Sequence, residues 1–211
     1  MSASIAFGSP SKIVCVGRNY RAHARELGHE VPSEPLLFLK PPSSVIREGE
    51  LIVLPHESAR VEHEGELAVI IAKRIRRCAP SDVPAAIAGY ACANDVTARD
   101  LQRKDVQFTR GKGFDTFCPL SSHMVTERPS LDARISVMVN GERRQYGTLG
   151  DMVFSIDVLI AFVSDVMTLE PGDVVLTGTP EGVGPLFAGD LVVVSIDGVG
   201  SLSNSVVSDH D

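Results

Sequence analysis

Hydrophobic and polar positions change their period several times along this 211-residue chain, and each change marks an element. Residues 61–71 (VEHEGELAVII) begin polar and end as an apolar run rich in β-branched residues. This reads as a strand whose first half reaches a site and whose second half enters a core. Alternate side chains of a strand share a face, so Glu62, Glu64 and Glu66 point one way, roughly 6 to 7 Å apart per pair. Glu64 and Glu66, nearest the apolar run, can both turn toward one cation. Like charges on one face repel unless solvent or a metal relieves them. Taken alone, Glu-x-Glu is more often a solvated edge strand.

Further strands are expected at residues 12–17, closed by Gly17, at 36–40, a buried strand stopped by Pro41-Pro42, and at 51–55. Residues 90–93 are small and apolar, an interior strand that delivers Asn94-Asp95 to its end. Residues 134–139 alternate with period two, Asn140-Gly141 is a hairpin turn, and 142–146 form the return strand. Strands at 173–176 and 191–196 follow, and Asp197-Gly198 predicts a final hairpin.

Helical patterns are fewer. Asn19 as N-cap and Gly28 beyond the end bound a short helix at 21–27, with His23 and Glu26 on one face. Ser81 caps a second helix that Gly89 stops, and Thr97-Ala98-Arg99-Asp100 resembles a capping box whose helix carries Leu101 and Gln102. The best helix spans 156–168, capped by Ser155 and stopped by Pro171-Gly172. Residues 110–115 read as a glycine-flanked loop around Lys112, where a ligand can approach the backbone. It is not a phosphate loop. Residues 177–184 are a second, longer glycine-rich loop. Scattered helices among many strands predict a β-rich α+β fold, one domain over 1–211 with its first ten or so residues peripheral.

A net charge of −7 with one short basic cluster, Lys73 to Arg77, argues against nucleic-acid binding, and the cluster is read as a solvated turn. No apolar stretch approaches the ~18 residues of a spanning helix, and the N-terminus does not resemble a signal peptide. Four spaced cysteines without a Cys-x-x-Cys fit a reducing, cytoplasmic compartment, with Cys15 and Cys92 as buried thiols.

Six motifs then occur in order: 16–20 (VGRNY) with His23 and Glu26; 38–41 (FLKP); 63–67 (HEGEL); 94–102 (NDVTARDLQ); 111–115 (GKGFD); and 177–184 (TGTPEGVG). Together they resemble the fumarylacetoacetate hydrolase family, in its short single-domain branch that includes acylpyruvases. The resemblance runs from Ile13 to Val207. It implies a mixed β-sandwich and β-roll, a homodimer, and a Mg²⁺ or Mn²⁺ ion held by Glu64, Glu66 and Asp95. Glu62 has no assigned role and is taken as solvated, and Asp100 as a helix-cap residue.

The resemblance also implies that His23 and Glu26 form a catalytic pair, that Lys112 supplies positive charge, and that Arg18, Gln102 and Thr179 bind substrate. The expected reaction is hydrolysis of a carbon–carbon bond in a 2,4-dioxo acid such as fumarylpyruvate or acetylpyruvate, with water activated by His23. The rival at the same site is decarboxylation of oxaloacetate, or decarboxylation and isomerisation of a dioxo acid. Residues 110–119 are closer to the branch of hydratases, isomerases and decarboxylases of aromatic catabolism. A metal-binding protein without catalysis is disfavoured by the joint presence of His23, Glu26 and Lys112.

Overall fold

The run Leu67 to Ile71 is apolar at every position, and the structure buries it on both faces. Leu67, Val69 and Ile71 join the cluster that contains Val137 and Val194 of a second sheet. Ala68 and Ile70 point the other way, against Ile13, Cys15, Val174 and Leu176. A strand covered on both sides needs no alternation, which is why this segment lacks one. In this computed structural model the described residues are 10–209, together with the backbone of 2–4.

The larger sheet has seven strands in the order Ser2–Ser4, His123–Val125, Ile87–Asn94, Gly65–Ile71, Val174–Leu176, Ile13–Gly17 and Leu36–Lys40. Only Val174–Leu176 and Ile13–Gly17 pair in parallel within it. The second sheet runs Glu142–Thr148, Arg134–Val139, Leu191–Ile196, Gly200–Ser208 and Ile52–Leu54. Its inner residues, Ile135, Val137, Val194 and Leu202, alternate with outer ones as a half-buried sheet requires. The two sheets form the apolar core between them, so the fold is β-rich and mixed, with few helices. The expectation of a peripheral N-terminus lies mostly outside the described residues; of those described, Ser2–Ser4 is an edge strand.

Several elements match their patterns. Asn140 and Gly141 have φ of 52° and 80°, the left-handed pair that the tight hairpin demands. The longest helix spans Ile156–Val166 behind Ser155, whose hydroxyl accepts from Val158 N–H. Cys15 and Cys92 are buried free thiols, and burial raises both above the ordinary thiol range. Among the described residues no helix is long and apolar enough to cross a membrane.

Others differ. Residues 61–71 form two strands, Val61–His63 and Gly65–Ile71, broken at Glu64. The first joins a separate three-stranded sheet with Thr97–Ala98 and Gly184–Pro185. The segment after Ala79 is a 3-10 helix, Pro80–Ala86, because Pro80 and Pro84 withhold N–H donors; Gly89 lies within the next strand. Leu36–Lys40 is an edge strand with Leu39 about half exposed, not a buried one. Residues 109–112 are a short helix, α3 (Thr109–Lys112), rather than a loop.

Gly65 packs directly against the second sheet. A Cβ there would stand 2.3 Å from Val137 Cγ2 and 3.2 Å from Val194 Cγ1. Overpacking of this kind costs about 1–3 kcal/mol. Gly65→Ala is therefore expected to lower the thermal midpoint by several degrees. An unchanged midpoint in a calorimetric scan would show that the sheets can separate freely at this point.

Asp173 is fully buried by its side chain and ties the N-terminal segment to the turn before Val174–Leu176. It accepts from Ser11 Oγ (2.6 Å), Lys12 N–H (3.2 Å) and Glu170 N–H (2.8 Å), and it pairs with Lys12. Burial would raise this carboxyl, but the hydrogen bonds and Lys12 outweigh it and hold it below the usual aspartate value. A depressed folded-state value gives stability that is present above the unfolded value and lost as pH falls through the folded one. Asp173→Asn is thus expected to remove part of the acid-induced loss of stability below pH ~4. Parallel urea titrations of both proteins at pH 3 and pH 7 measure this.

Candidate active site

The antiparallel pairing of Gly65–Ile71 with Ile87–Asn94 sets Gly65 opposite Asn94 and Glu66 opposite Ala93. Beyond this pair the two chains stay joined: Glu64 N–H donates to Asn94 Oδ1 (2.9 Å) and Asp95 N–H donates to Glu64 O (2.8 Å). The start of one strand and the end of the next thereby bring Glu64, Glu66 and Asp95 together. One carboxylate oxygen from each lies within 4.8 Å of the others, and all three side chains are buried.

Glu64 is held between Arg99, which contacts Oε1, and Lys112 Nζ, 2.7 Å from Oε2. Burial would raise its carboxyl, but these two cations hold it well below the usual carboxylate range. Asp95 takes Lys112 Nζ on Oδ2 and Lys40 Nζ on Oδ1, both at 2.7 Å. Glu66 differs: it accepts from Gly178 N–H (2.6 Å) and forms no ion pair among the described residues. Burial, then Asp95 and Glu64, push it well above the usual range. Four buried carboxylates (Glu62, Glu64, Glu66, Asp95) thus face three buried cationic side chains (Lys40, Arg99, Lys112), and the uncompensated charge falls on Glu66. Three convergent carboxylates with an unpaired member fit a hard divalent cation.

Two expectations are corrected here. Glu62 is not solvated; it is 2% exposed and accepts from Arg99 Nε (2.7 Å) and Arg60 Nε (2.6 Å). The break at Glu64 turns this part of the chain inward. The capping box is not formed: the N-cap of α2 (Arg99–Asp105) is Ala98, and Thr97 Oγ1 donates to Asp95 O (2.9 Å). Asp100 accepts from Ser58 Oγ, Ala59 N–H and Leu101 N–H, so it fastens the loop before residue 61 to the helix start.

Arg99 emerges as a connector that sequence reasoning left without a role. Its guanidinium joins Glu62, Glu64 and Gln102 Oε1 (2.6 Å). A lysine's donors all radiate from one nitrogen, so it cannot reach acceptors spread around the edges of a planar guanidinium. Arg99→Lys is expected to cost about 1–3 kcal/mol, since a buried carboxylate loses a charged partner. Urea unfolding that returns wild-type stability would refute this.

The other predicted residues reach the same place from separate elements. A cavity of about 280 Å³ is lined by Arg18, His23, Glu64, Glu66, Asp95, Gln102, Lys112 and Thr179. Sequence reasoning did not include His29, Phe38, Arg103 and Phe108, which also line it. Helix α1 (Arg21–Glu26) buries His23, with Nδ1 3.2 Å from Glu26 Oε2. Burial acts to raise Glu26, but His23 and the Gly182 N–H (3.0 Å) lower it below the usual value. Glu26 thereby links α1 to the 177–184 loop; only its partner His23 reaches the cavity wall.

The N-cap of α1 is Tyr20 rather than Asn19. Asn19 instead donates to Thr177 O (2.8 Å) and Phe154 O (3.2 Å) and accepts from Phe154 N–H (2.8 Å). It holds the start of α1 beside Gly178, the donor to Glu66. Arg18, just before, has φ of 59°, a left-handed backbone that few bulky residues adopt. Its guanidinium forms no ion pair among the described residues, so it is open to an anionic ligand. Lys112, in α3, packs over Phe38 (5.0 Å to the ring centroid), and its charge is already set against Glu64 and Asp95.

Residues 12–207 match the protein-family model for the C-terminal domain of fumarylacetoacetate (FAA) hydrolase. Over 213 residues the chain is 45% identical to the mitochondrial oxaloacetate tautomerase of Arabidopsis thaliana, covering 95% of this chain and 92% of that one. The crystal structure of a 5-carboxymethyl-2-hydroxymuconate delta-isomerase from Mycobacterium smegmatis superposes with a TM-score of 0.89 at 45% identity, over 95% of this chain and 80% of that one. Fumarylpyruvate hydrolase from Pseudomonas aeruginosa, in complex with Mn²⁺ and pyruvate, superposes with a TM-score of 0.90 at 32% identity, over 99% and 96% of the two chains.

Proposed function

This chain belongs to the fumarylacetoacetate hydrolase family, and on that premise we propose that it is a divalent-metal enzyme catalysing keto–enol interconversion of a small 2-oxo dicarboxylic acid, with oxaloacetate as the substrate. The observation that carries this reading is the buried Glu64–Glu66–Asp95 triad opening on a small cavity also lined by Arg18, which has no ion pair among the described residues. A volume of about 280 Å³ suits a four-carbon dianion, and Arg18 offers a planar fork to its distal carboxylate. The 45% identity with an oxaloacetate tautomerase supports the same choice.

Glu64, Glu66 and Asp95 would hold Mg²⁺ or Mn²⁺, which when bound would supply Lewis acidity that favours negative charge on the 2-oxo oxygen. The remaining work belongs to side chains. Glu26 engages His23 at Nδ1, which orients the ring and leaves Nε2 to exchange a proton with the carbon next to the carbonyl. Gln102 is held by Arg99 and, like Thr179, lines the cavity. Phe38 and Phe108, edge to face at 5.4 Å, form an apolar flank that limits water. In the enol-to-keto direction the enol oxygen gives up a proton and the neighbouring carbon gains one, and the reverse holds for enolisation, so the substrate is isomerised with no net consumption of water.

A second reading has its own support. A histidine paired with a carboxylate can also activate water, and the likeness to fumarylpyruvate hydrolase favours cleavage of an acylpyruvate at this site. The decisive assay follows the enol absorbance of oxaloacetate with Mg²⁺, with Mn²⁺ and with chelator. Metal-dependent loss of the enol above the buffer rate is expected. Background tautomerisation together with metal-dependent cleavage of acetylpyruvate would replace the first reading by the second.

A further inference from the structure

Gln145 lies on the return strand Glu142–Thr148 of the second sheet, is fully buried, and takes no part in the chemistry above. Its amide makes four hydrogen bonds. Oε1 accepts from Gly65 N–H (3.0 Å) and stands 2.9 Å from His63 Nδ1. Nε2 donates to Thr179 Oγ1 and to the Pro180 carbonyl, each at 2.7 Å. Two of these partners have fixed polarity, since a peptide N–H only donates and a carbonyl only accepts. A flipped amide would set N–H against N–H and oxygen against oxygen. The orientation is therefore unambiguous, and His63 Nδ1 carries a proton.

The consequence falls on Thr179, which is 2% exposed and lines the cavity. A hydroxyl has one proton and two lone pairs. One lone pair takes the Gln145 N–H. The proton goes to the Gly65 carbonyl, 2.8 Å away, which cannot donate. What remains for a ligand is a single acceptor.

We propose that Gln145, whose N–H takes one lone pair of Thr179 while the Gly65 carbonyl takes its proton, is a positioning residue that with Gly65 leaves Thr179 an acceptor-only group, so that the site selects ligands bearing a hydroxyl donor over ligands that carry only acceptors. The matching ligands are the enol form of a 2-oxo acid and the related 2-hydroxy acids. This rests on the 2-oxo acid reading of the site. It names which tautomer the cavity wall recognises at that point. Gly65 lies between Glu64 and Glu66, so the same amide also braces the backbone of the carboxylate triad, and the test must separate the two roles.

Calorimetric titration of the Mg²⁺-loaded protein with malate, which has a hydroxyl donor, and with oxalate, which has none, does so. One neutral hydrogen bond corresponds to a five- to tenfold change in affinity. Thr179→Val is expected to weaken malate by about that factor and to leave oxalate within about twofold. Thr179→Ser should restore malate binding. Gln145→Met lifts the constraint on how the hydroxyl turns, so the preference for malate over oxalate should shrink. A purely bracing role would weaken both ligands alike, and equal losses in either variant overturn the proposal. Should Gln145→Met fail to fold, the Val and Ser pair at position 179 decides alone. Wild-type protein that binds neither ligand would overturn the substrate class and this assignment together. Binding with the expected selectivity but without turnover of any oxo acid would overturn only the catalytic reading.

Discussion

Replacing Glu66 with glutamine is expected to remove metal-dependent turnover, lowering it by about 10³-fold, because Lewis-acid stabilisation of this kind is worth several kcal/mol. Of the three convergent carboxylates, Glu66 is the one without an ion pair among the described residues. Glu64 and Asp95 are already set against Arg99, Lys112 and Lys40. A neutral amide at position 66 keeps the size and can still accept from Gly178 N–H, so the fold should hold. What it loses is the excess negative charge that calls for a divalent cation. Titration of Mn²⁺ followed by electron paramagnetic resonance should show affinity reduced at least 100-fold, the upper end for changes even to groups that only support a ligand. Wild-type Mn²⁺ affinity in this variant would mean that the cation sits elsewhere.

His23→Ala is expected to slow tautomerisation by 10²–10⁴-fold, the range for loss of a general base. Oxalate affinity should stay near wild type, since oxalate meets chiefly the carboxylate-bound cation. Glu26→Gln should cost less than His23→Ala, because the amide can still contact Nδ1 and only the charge is lost. These two variants also separate the functional readings. If hydrolysis of acetylpyruvate falls while tautomerisation of oxaloacetate persists in His23→Ala, His23 acts on water. If both reactions run at the wild-type rate, α1 is structural and the proton acceptor must be sought elsewhere, with Lys112 the first candidate.

Much of the site was legible because its residues sit in short segments of unusual composition. Glu64 and Glu66 precede a fully apolar run, Asp95 ends another, and His23 and Glu26 have helical spacing. In each case the local pattern and the chemistry coincide. The reading of Glu62 failed for a tertiary reason. A glutamate at the polar end of a strand is ordinarily exposed; the half-exposed Arg60 is close in sequence, but the buried partner that completes its pairing is Arg99, 37 residues later. Asn19 failed similarly: its type suits a helix cap, but its side chain satisfies backbone groups 135 and 158 residues away. Lys40 carried no local signal for contact with Asp95, since one lysine before two prolines resembles any strand end.

What the sequence determined by itself was local: where strands turn, where the long helix starts, that Asn140-Gly141 forms a tight hairpin, and which carboxylates could face one cation. Backbone conformation and side-chain period act over a few residues, so these features are written in adjacent letters. The polarity of the site was decided only by the tertiary structure. Which carboxylate stays unpaired, which buried cation meets which anion, and which way the Gln145 amide points all depend on groups dozens of residues apart. Those groups are desolvated together when the two sheets close. Burial makes an unmatched donor or charge costly, so the partners are fixed by the whole fold and cannot be read from any one segment.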